Sequence, residues 1–214
     1  MIIKKKDFVY LIQNVRPFDH PNVDLEQYCI DARSAVDIVY FAGFEFDDIS
    51  NKIIFDLGAG TGRLSIACAL LNAKRVVSVD IDMRALDILK ENIHDLEIDL
   101  NIAPLCADVK NLEIIKEKLI ATEEITTIMN PPFGVQTRTA DRVFLKKAFS
   151  FSNVIYSIHL ASDKVQKFIQ GYAEKNGWMV DHVYPFNMIL EKSFPFHTQR
   201  KKQIQVDVYR FVKK

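Results

Sequence analysis

The segment between residues 52 and 71 constrains the fold of this chain more than any other. Apolar spacing predicts a buried strand over residues 52–55 and a helix over residues 64–71. The turn between them carries three glycines at alternate positions, Gly58, Gly60 and Gly62. Because glycine has no Cβ, such a turn lets the backbone approach a ligand closely. This order predicts an α/β fold with a ligand site at the carboxyl ends of parallel strands.

The spacing of the glycines indicates the class of ligand. A dinucleotide-binding fingerprint places its third glycine three residues after the second. Here Gly62 follows Gly60 after only one intervening residue. The nicotinamide pattern therefore fails, and the closer match is the glycine loop of enzymes that use S-adenosylmethionine (SAM).

Acidic residues follow the next two predicted strands. A strand over residues 75–79 ends at Asp80, where a carboxylate can accept hydrogen bonds from the ribose hydroxyls of an adenosine-containing cofactor. In a third, weaker element, Asp108 can accept the adenine amine and Val109 can offer its backbone amide. An aspartate after a strand is often only a helix N-cap, but Asp82 is placed to serve as that cap. This leaves Asp80 for the ligand.

A diproline motif follows the apolar run 125–129, which reads as a buried strand. Its four residues are Asn130, Pro131, Pro132 and Phe133. The amide oxygen and a proline carbonyl can accept the two hydrogens of an amine on a planar ring, while the aromatic side chain packs on that ring. The alternative is a loop whose prolines end a strand. Together with the glycine loop and the two aspartates, the motif favours a SAM-dependent methyltransferase.

Strands and helices alternate along most of the chain. Further helices are predicted over residues 4–13, 31–42, 83–95, 112–120, 141–149 and 163–176, and further strands over residues 101–106, 154–159, 179–184 and 204–211. The last two strands have no helix between them and should pair as an antiparallel hairpin. We expect one Rossmann-like domain, with a seven-stranded, mostly parallel sheet, an antiparallel last strand and helices on both faces. Residues 1–50 would be a helical segment covering the cofactor, and residues 51–214 the catalytic core.

Length and composition agree with a single compact enzyme, which we expect to be cytoplasmic. With 214 residues, 49% of them hydrophobic, the chain can bury a sizeable core. It shows no apolar run of transmembrane length and no signal peptide. The three cysteines, Cys29, Cys68 and Cys106, lack the spacing of metal ligands. We therefore expect reduced cysteines, no metal site and no membrane association.

Charge is unevenly divided although the net charge is zero. Residues 1–130 hold 14 basic and 22 acidic residues, and residues 131–214 hold 14 and 6. A basic half suits a phosphate-bearing substrate. The alternative is that these are ordinary solvated faces that intermix after folding.

The segment 186–203 is the predicted substrate side, because it interleaves aromatic and basic side chains. Its candidate substrate-binding residues are Phe196, His197, Arg200, Lys201 and Lys202, and Arg138 after the diproline motif is a further candidate. The alternative is a solvated hairpin loop with two core phenylalanines.

These motifs resemble those of the methyltransferase-like-five family, small-subunit rRNA adenine-N6 methyltransferases of eukaryotes with archaeal relatives. The resemblance runs from about residue 25 to residue 211. It rests on residues 25–28 (Leu-Glu-Gln-Tyr), 56–62, 64–66, 80–82, 108–109, 130–134, 156–159, 196–197, 206–208 and 210–211.

The resemblance implies a role for each matching residue. Gln27 would close over the cofactor, Asp80 would hold its ribose, and the Asn-Pro-Pro-Phe segment would be the catalytic clamp. The implied cofactor-binding residues are Gln27, Gly58, Gly60, Thr61, Arg63, Asp80, Asp108 and Val109. The chain departs from the family at Ile30, where a threonine contact is lost, at Leu160, which replaces a lysine, and at residues 198–199, which interrupt a lysine run.

Family members pair with a small zinc-binding activator protein at the edge formed by the third strand. The same pairing is expected here, since this strand is partly apolar. Other substrates for the same chemistry are guanine N2, DNA adenine or protein glutamine. A SAM-binding RNA scaffold without turnover is the alternative from another class.

Overall fold

The fold is described from a computed structural model over residues 4–97, 101–114, 124–134, 140–191 and 201–214, without the side chains of residues 190, 191, 201 and 202. The strands are β1 (Ile53–Leu57), β2 (Arg75–Asp80), β3 (Ile102–Cys106), β4 (Ile125–Met129), β5 (Val154–Leu160), β6 (Trp178–Glu191) and β7 (Lys201–Lys213). The helices are α1 (Lys5–Gln13), α2 (Ala32–Tyr40), α3 (Arg63–Leu70), α4 (Met83–Asp95), α5 (Ala140–Phe151) and α6 (Asp163–Lys175).

The seven strands form one sheet in the order β3-β2-β1-β4-β5-β7-β6. Strands β1 to β5 are parallel, and β7 runs antiparallel to both of its neighbours. This confirms the predicted mostly parallel sheet with an antiparallel last strand. The carboxyl ends of β1, β2 and β4 lie side by side, so the loops that follow them meet at one edge.

Apolar side chains fill both faces of the sheet. Ile54 and Phe55 on β1 belong to two different core clusters, since successive strand residues point to opposite faces. One cluster packs the sheet against α1, α2, α3 and α4, and the other packs it against α5 and α6. Helices therefore cover both faces, as predicted.

The helix ends follow the expected capping chemistry. Asp31 caps α2 by accepting a hydrogen bond from the Ser34 amide at 3.0 Å. Asp82 caps α4 through the Arg84 amide at 3.1 Å, which matches its predicted role. Gly177 follows α6 with a φ of 77°, in the left-handed region that favours glycine.

Several predicted bounds differ from the structure. The helix expected to reach residue 42 changes after Tyr40 into a π-helical turn, Phe41–Glu45. Residues 112–114 are not helical, and the rest of the helix predicted over 112–120 lies outside the described residues. Strands β6 and β7 extend well beyond the predicted 179–184 and 204–211.

A buried polar network joins the N-terminal region to the sheet. The Asp48 carboxylate accepts hydrogen bonds from the Tyr156 hydroxyl at 2.5 Å and from Arg210 Nε at 2.9 Å. Arg210 also pairs with Asp181 and lies over the Phe46 ring, 4.1 Å from its centroid. The network thereby fixes the chain just before β1 against β5 and β7.

Candidate active site

A cavity of about 250 Å³ opens at the carboxyl ends of the parallel strands. Its walls come from the N-terminal segment, the loops after β1, β2, β3 and β4, and the start of α5. Ten of the residues predicted as cofactor-binding or catalytic line it: Gln27, Gly58, Gly60, Thr61, Arg63, Asp80, Asp108, Val109, Asn130 and Pro132. The topology thus brings together residues that lie more than 100 positions apart in the sequence.

The glycine loop has a conformation that is strained for other residues. Gly60 has a φ of 54°, and a Cβ built on it would lie 2.8 Å from Cζ of Phe18. Gly62 has a φ of 96°, and its Cβ would lie 2.1 Å from Cδ1 of Leu89. Both positions combine left-handed backbone with close packing, so each favours glycine.

Asp80 organises the glycine loop as well as lining the cavity. Its Oδ2 accepts a hydrogen bond from the Gly60 amide at 2.8 Å, and its Oδ1 accepts one from the Asp82 amide at 2.9 Å. Burial raises the pKa of this carboxyl, although the amide hydrogen bonds oppose the rise. A carboxylate offers about four lone-pair sites, so the two oxygens together can still accept from a hydroxyl in the cavity.

Two charged residues in the cavity wall carry buried atoms that have no hydrogen-bond partner among the described residues. They are Oδ1 of Asp56 and Nε of Arg63. The other oxygen of Asp56 accepts from the Ser65 hydroxyl at 2.6 Å, and burial raises the pKa of Asp56 to about 7. An unsatisfied acceptor and an unsatisfied donor in one wall suit a ligand that carries both an ammonium and a carboxylate.

The N-terminal segment is fastened over this cavity at two points. Gln27 Nε2 donates to Asp82 Oδ2 at 3.0 Å, and its Oε1 accepts from the Asn22 amide at 2.7 Å. Further along, Arg63 donates through one nitrogen to the Ile30 carbonyl at 2.8 Å and through another to the Val15 carbonyl at 3.3 Å. Ile30, where the resemblance implied a threonine, is buried and lines the cavity.

The Asn-Pro-Pro-Phe segment lies at the end of β4. Asn130 and Pro132 line the cavity, and Pro131 between them is buried. Phe133 packs against the core and against the Tyr28 ring, with centroids 5.4 Å apart and an interplanar angle of 36°. The Tyr28 hydroxyl donates to the Asn130 side-chain oxygen at 3.3 Å.

The side of the cavity near β3 is less polar. Asp108 Oδ1 accepts a hydrogen bond from the Lys110 amide at 2.8 Å, and the neighbouring Val109 is buried. Ile81, which is 53% exposed, and Phe144 of α5 add apolar surface. Such surface suits the faces of a purine ring.

Several residues of this wall had no predicted role. Asp56 belongs to the glycine-loop motif, and its unsatisfied oxygen depends on burial that no local sequence pattern reveals. Tyr28 lies in a segment that resembles the family, but its partner Asn130 is 102 residues away. Ile81 directly follows Asp80, and its apolar side chain at a strand tip could have indicated a residue of the cavity wall.

His159 is buried inside the fold. Its Nε2 lies 2.7 Å from the Ser157 hydroxyl, and burial lowers the pKa of His159 to about 3. The ring is therefore neutral at physiological pH. Because both partners are fully enclosed, their arrangement fits a structural role.

Four of the six predicted substrate residues lie outside the described part of the chain. Arg138, Phe196, His197 and Arg200 lie outside the described residues, and for Lys201 and Lys202 only the backbone, in β7, is described. Across the described ranges, no group of three or more histidine, cysteine, aspartate or glutamate residues could hold a metal ion. None of the helices in that part of the chain combines the length and apolarity needed to cross a bilayer.

Comparison with known proteins gives matches over almost the whole chain. An rRNA N(6)-adenosine-methyltransferase METTL5 of Danio rerio is 36% identical over 98% of this chain and 99% of its own length. The corresponding protein of Drosophila melanogaster is 33% identical over 98% of this chain and 96% of its own. An uncharacterised protein of Methanocaldococcus jannaschii is 35% identical over 99% and 95%.

One solved structure and one family model add to this. A protein of Pyrococcus horikoshii, described as a candidate RNA methyltransferase, superposes with a TM-score of 0.87 at 37% identity, over 100% of this chain and 99% of its own. The family model of ribosomal protein L11 methyltransferase (PrmA) matches residues 39–125. That match covers the glycine loop and Asp80 but ends before Asn130.

Proposed function

Since the chain belongs to the METTL5 family, we propose that it is a SAM-dependent methyltransferase that modifies N6 of an adenine in small-subunit ribosomal RNA. The observation that carries this proposal is the position of Asn130. Its side chain lies in the wall of the same cavity as the glycine loop, Asp80 and Asp108. A cofactor held by those residues and an amine held at Asn130 would face each other.

The cavity wall fits the parts of SAM. The unsatisfied Asp56 oxygen would accept from the ammonium of the methionine portion, and the unsatisfied Arg63 Nε would donate to its carboxylate. Asp80 would accept from the ribose hydroxyls. Asp108 and Val109 would bind the adenine, and Gln27, Gly58, Gly60 and Thr61 would complete the wall. Residues 1–50 would act as the cover and residues 51–214 as the catalytic core.

The chemistry requires the chain to position an unreactive amine. SAM, when bound, supplies a methyl carbon on a positively charged sulfur. An adenine amine is a poor nucleophile because its lone pair is delocalised into the ring. The Asn130 side-chain oxygen and the Pro131 carbonyl would accept its two hydrogens and so favour a tetrahedral nitrogen with a directed lone pair.

Positioning of the two reactants can supply a large part of the rate enhancement. Holding two reactants in attacking geometry can lower a barrier by roughly 7–11 kcal/mol in favourable cases. Phe133 would support the base from the core side of the clamp. The proton leaves after methyl transfer and can pass to water, and the neutral, enclosed His159 is not placed to take it.

The relatives favour RNA over the other substrates with planar amines. The two METTL5 proteins match this chain from end to end, and both are rRNA adenosine methyltransferases by name. The protein-methyltransferase model, in contrast, ends at residue 125 and so covers only the half that would bind the cofactor. Arg138, Phe196, His197, Arg200, Lys201 and Lys202 remain our candidates for RNA contacts.

A substrate panel tests this function. Methyl transfer from labelled SAM would be measured on small ribosomal subunits, naked rRNA, DNA and protein, with nucleoside analysis of the product. We expect N6-methyladenosine in the small-subunit RNA. Label in protein or on guanine would overturn the proposal, and binding of SAM and RNA without any transfer would favour a scaffold.

We also propose that β3 pairs with a small zinc-binding activator protein. Strand β3 is an edge of the sheet, and its Leu105 is 40% exposed. Unpaired backbone and apolar side chains at an edge suit the addition of a strand from another chain. Leu105→Glu should abolish co-purification with the activator, whereas Ile189→Glu on the opposite edge strand should not. A chain that is monomeric and fully active alone would contradict the pairing.

A further inference from the structure

Tyr28 connects the cover of the cavity to the amine-binding clamp. Its hydroxyl donates to the Asn130 side-chain oxygen at 3.3 Å, and its ring packs on Phe133 with centroids 5.4 Å apart. The same side chain lines the cavity. Tyr28 thus touches two of the four residues of the clamp from a segment that lies 102 positions earlier in the chain.

The segment that carries Tyr28 is itself held firmly. On one side, the Gln27 side chain donates a hydrogen bond to Asp82 at the start of α4. On the other side, the Ile30 carbonyl accepts from the buried Arg63. The preceding Glu26 has a φ of 51°, which marks a tight turn. The backbone around Tyr28 therefore has little freedom. The position of the Tyr28 hydroxyl is therefore set by the closed cover.

The direction of the hydrogen bond follows from chemistry. Burial raises the pKa of Tyr28 well above its usual value, so the hydroxyl keeps its proton and can donate. An amide group has an acceptor at one end and a donor at the other. A donor at a fixed position selects the orientation in which the Asn130 oxygen faces it. That oxygen has a second lone pair, which stays available.

We propose that Tyr28 is a positioning residue, which fixes the Asn130 amide with its oxygen toward the cavity whenever the N-terminal segment is closed. The inference rests on the proposed function, in which that oxygen accepts a hydrogen of the substrate amine. Without the hydroxyl, the amide can rotate by half a turn and present its NH2 group to the NH2 group of the base. Two donors then face each other, and the amine is no longer oriented.

This hydrogen bond would give the N-terminal segment a second role. In place over the cavity, the segment would enclose the cofactor and, through Tyr28, orient the acceptor on Asn130. An amine would then be oriented only while the N-terminal segment is in place.

Tyr28→Phe tests the inference, because it removes the hydroxyl and keeps the ring on Phe133. We expect kcat to fall about 10- to 100-fold, as for other small losses of alignment. The KM for RNA and the Kd for SAM should stay within about twofold, since the ring and the anchors of the segment are unchanged. Tyr10→Phe is the matched control, because Tyr10 is 68% exposed on α1. It should behave like the unmodified protein.

A double-mutant cycle separates positioning from general loosening. If Tyr28 acts through Asn130, then Tyr28→Phe should cost little further activity in an Asn130→Ala background. Effects that multiply, or a Tyr28→Phe variant with unchanged kcat, would overturn the inference. Loss of SAM affinity together with kcat would also overturn it, because it would indicate a purely structural role.

Hydrogen exchange gives a readout that does not depend on activity. Breaking the Tyr28–Asn130 bond from either side, by Tyr28→Phe or by Asn130→Ala, should increase amide exchange in residues 25–31 to a similar extent. Unchanged exchange in both variants would overturn the inference. Absence of N6-methyladenosine with the unmodified protein would instead reject the proposed function, so the two failures are distinguishable.

Discussion

The Asp80 carboxylate accepts a hydrogen bond from the amide of Gly60, twenty residues earlier in the chain, at 2.8 Å. The tip of β2 therefore fixes the glycine loop after β1. The same carboxylate lines the cavity, where we propose that it binds the cofactor ribose. Asp80 would thus have both a structural and a ligand-binding role.

Replacement of Asp80 by alanine should weaken SAM binding strongly. The change removes an acceptor for the ribose and releases the Gly60 amide, and hydrogen bonds to a charged group contribute roughly 1.5–3 kcal/mol each. We expect the Kd measured by calorimetry to rise about 10-fold or more. Asp87→Asn, on the exposed side of α4, is the control and should leave the Kd unchanged. Unchanged affinity in Asp80→Ala would remove Asp80 from the cofactor site.

Gly62→Ala should destabilise the fold. A Cβ at this position would lie 2.1 Å from Cδ1 of Leu89, in a backbone conformation with a φ of 96°. Strain and overpacking together should lower the free energy of unfolding by about 1–3 kcal/mol in urea denaturation. Gly171→Ala in α6 is a matched control, because its Cβ would meet nothing within 4 Å. That variant should gain about 0.5–1 kcal/mol from helix propensity. Equal effects of the two substitutions would contradict this account of the loop.

Asp56 should make the cofactor-free protein less stable as pH rises. Burial raises its pKa to about 7 in the fold, while in the unfolded chain it is near 4. Below pH 4 both states hold the proton. Between pH 4 and 7 the unfolded state loses it first, so the stability contributed by this group disappears, on the order of 4 kcal/mol in total.

Asp56→Asn removes this dependence. Measured between pH 4 and 8 without SAM, the stability of the variant relative to the unmodified protein should increase with pH. Asp87→Asn should show no such trend. Parallel stability curves for Asp56→Asn and the unmodified protein would show that Asp56 titrates normally.

The network of Asp48, Tyr156 and Arg210 should be more important for stability than for binding. Asp48→Ala leaves the Tyr156 hydroxyl without its carboxylate acceptor and removes one of the two carboxylates that pair with Arg210, and such a loss costs about 1–3 kcal/mol. Thermal unfolding should show a clear loss of stability. SAM affinity, measured well below the new melting temperature, should remain unchanged, because none of the three residues lines the cavity. A loss below about 1 kcal/mol would place this pair among weak surface interactions.

The sheet and most of the cavity could be predicted because their signals are local. Buried strands such as β4 have continuous apolar runs, and Asn130 directly follows one of them. Once the strands are known to be parallel, Gly58, Asp80, Asp108 and Asn130 must converge at one edge. The capping role of Asp82 was equally visible in its short-range pattern.

Features that depend on distant parts of the chain could not be predicted. Nothing near Tyr28 in the sequence indicates that its hydroxyl meets Asn130. The unsatisfied oxygen of Asp56 depends on burial by several elements. Strand β6 was expected to end before Pro185, yet it continues to Glu191, since an edge strand tolerates a proline that lacks an N–H group.

The central claim is that Asn130 acts on the acceptor amine in a cavity whose other wall holds SAM. Asn130→Ala tests it most directly, with methyl transfer to small-subunit rRNA and SAM affinity measured on the same preparation. We predict that formation of N6-methyladenosine falls about 100-fold or more while the Kd for SAM changes by less than about threefold. Methyl transfer to adenine by Asn130→Ala at the rate of the unsubstituted protein would contradict the account.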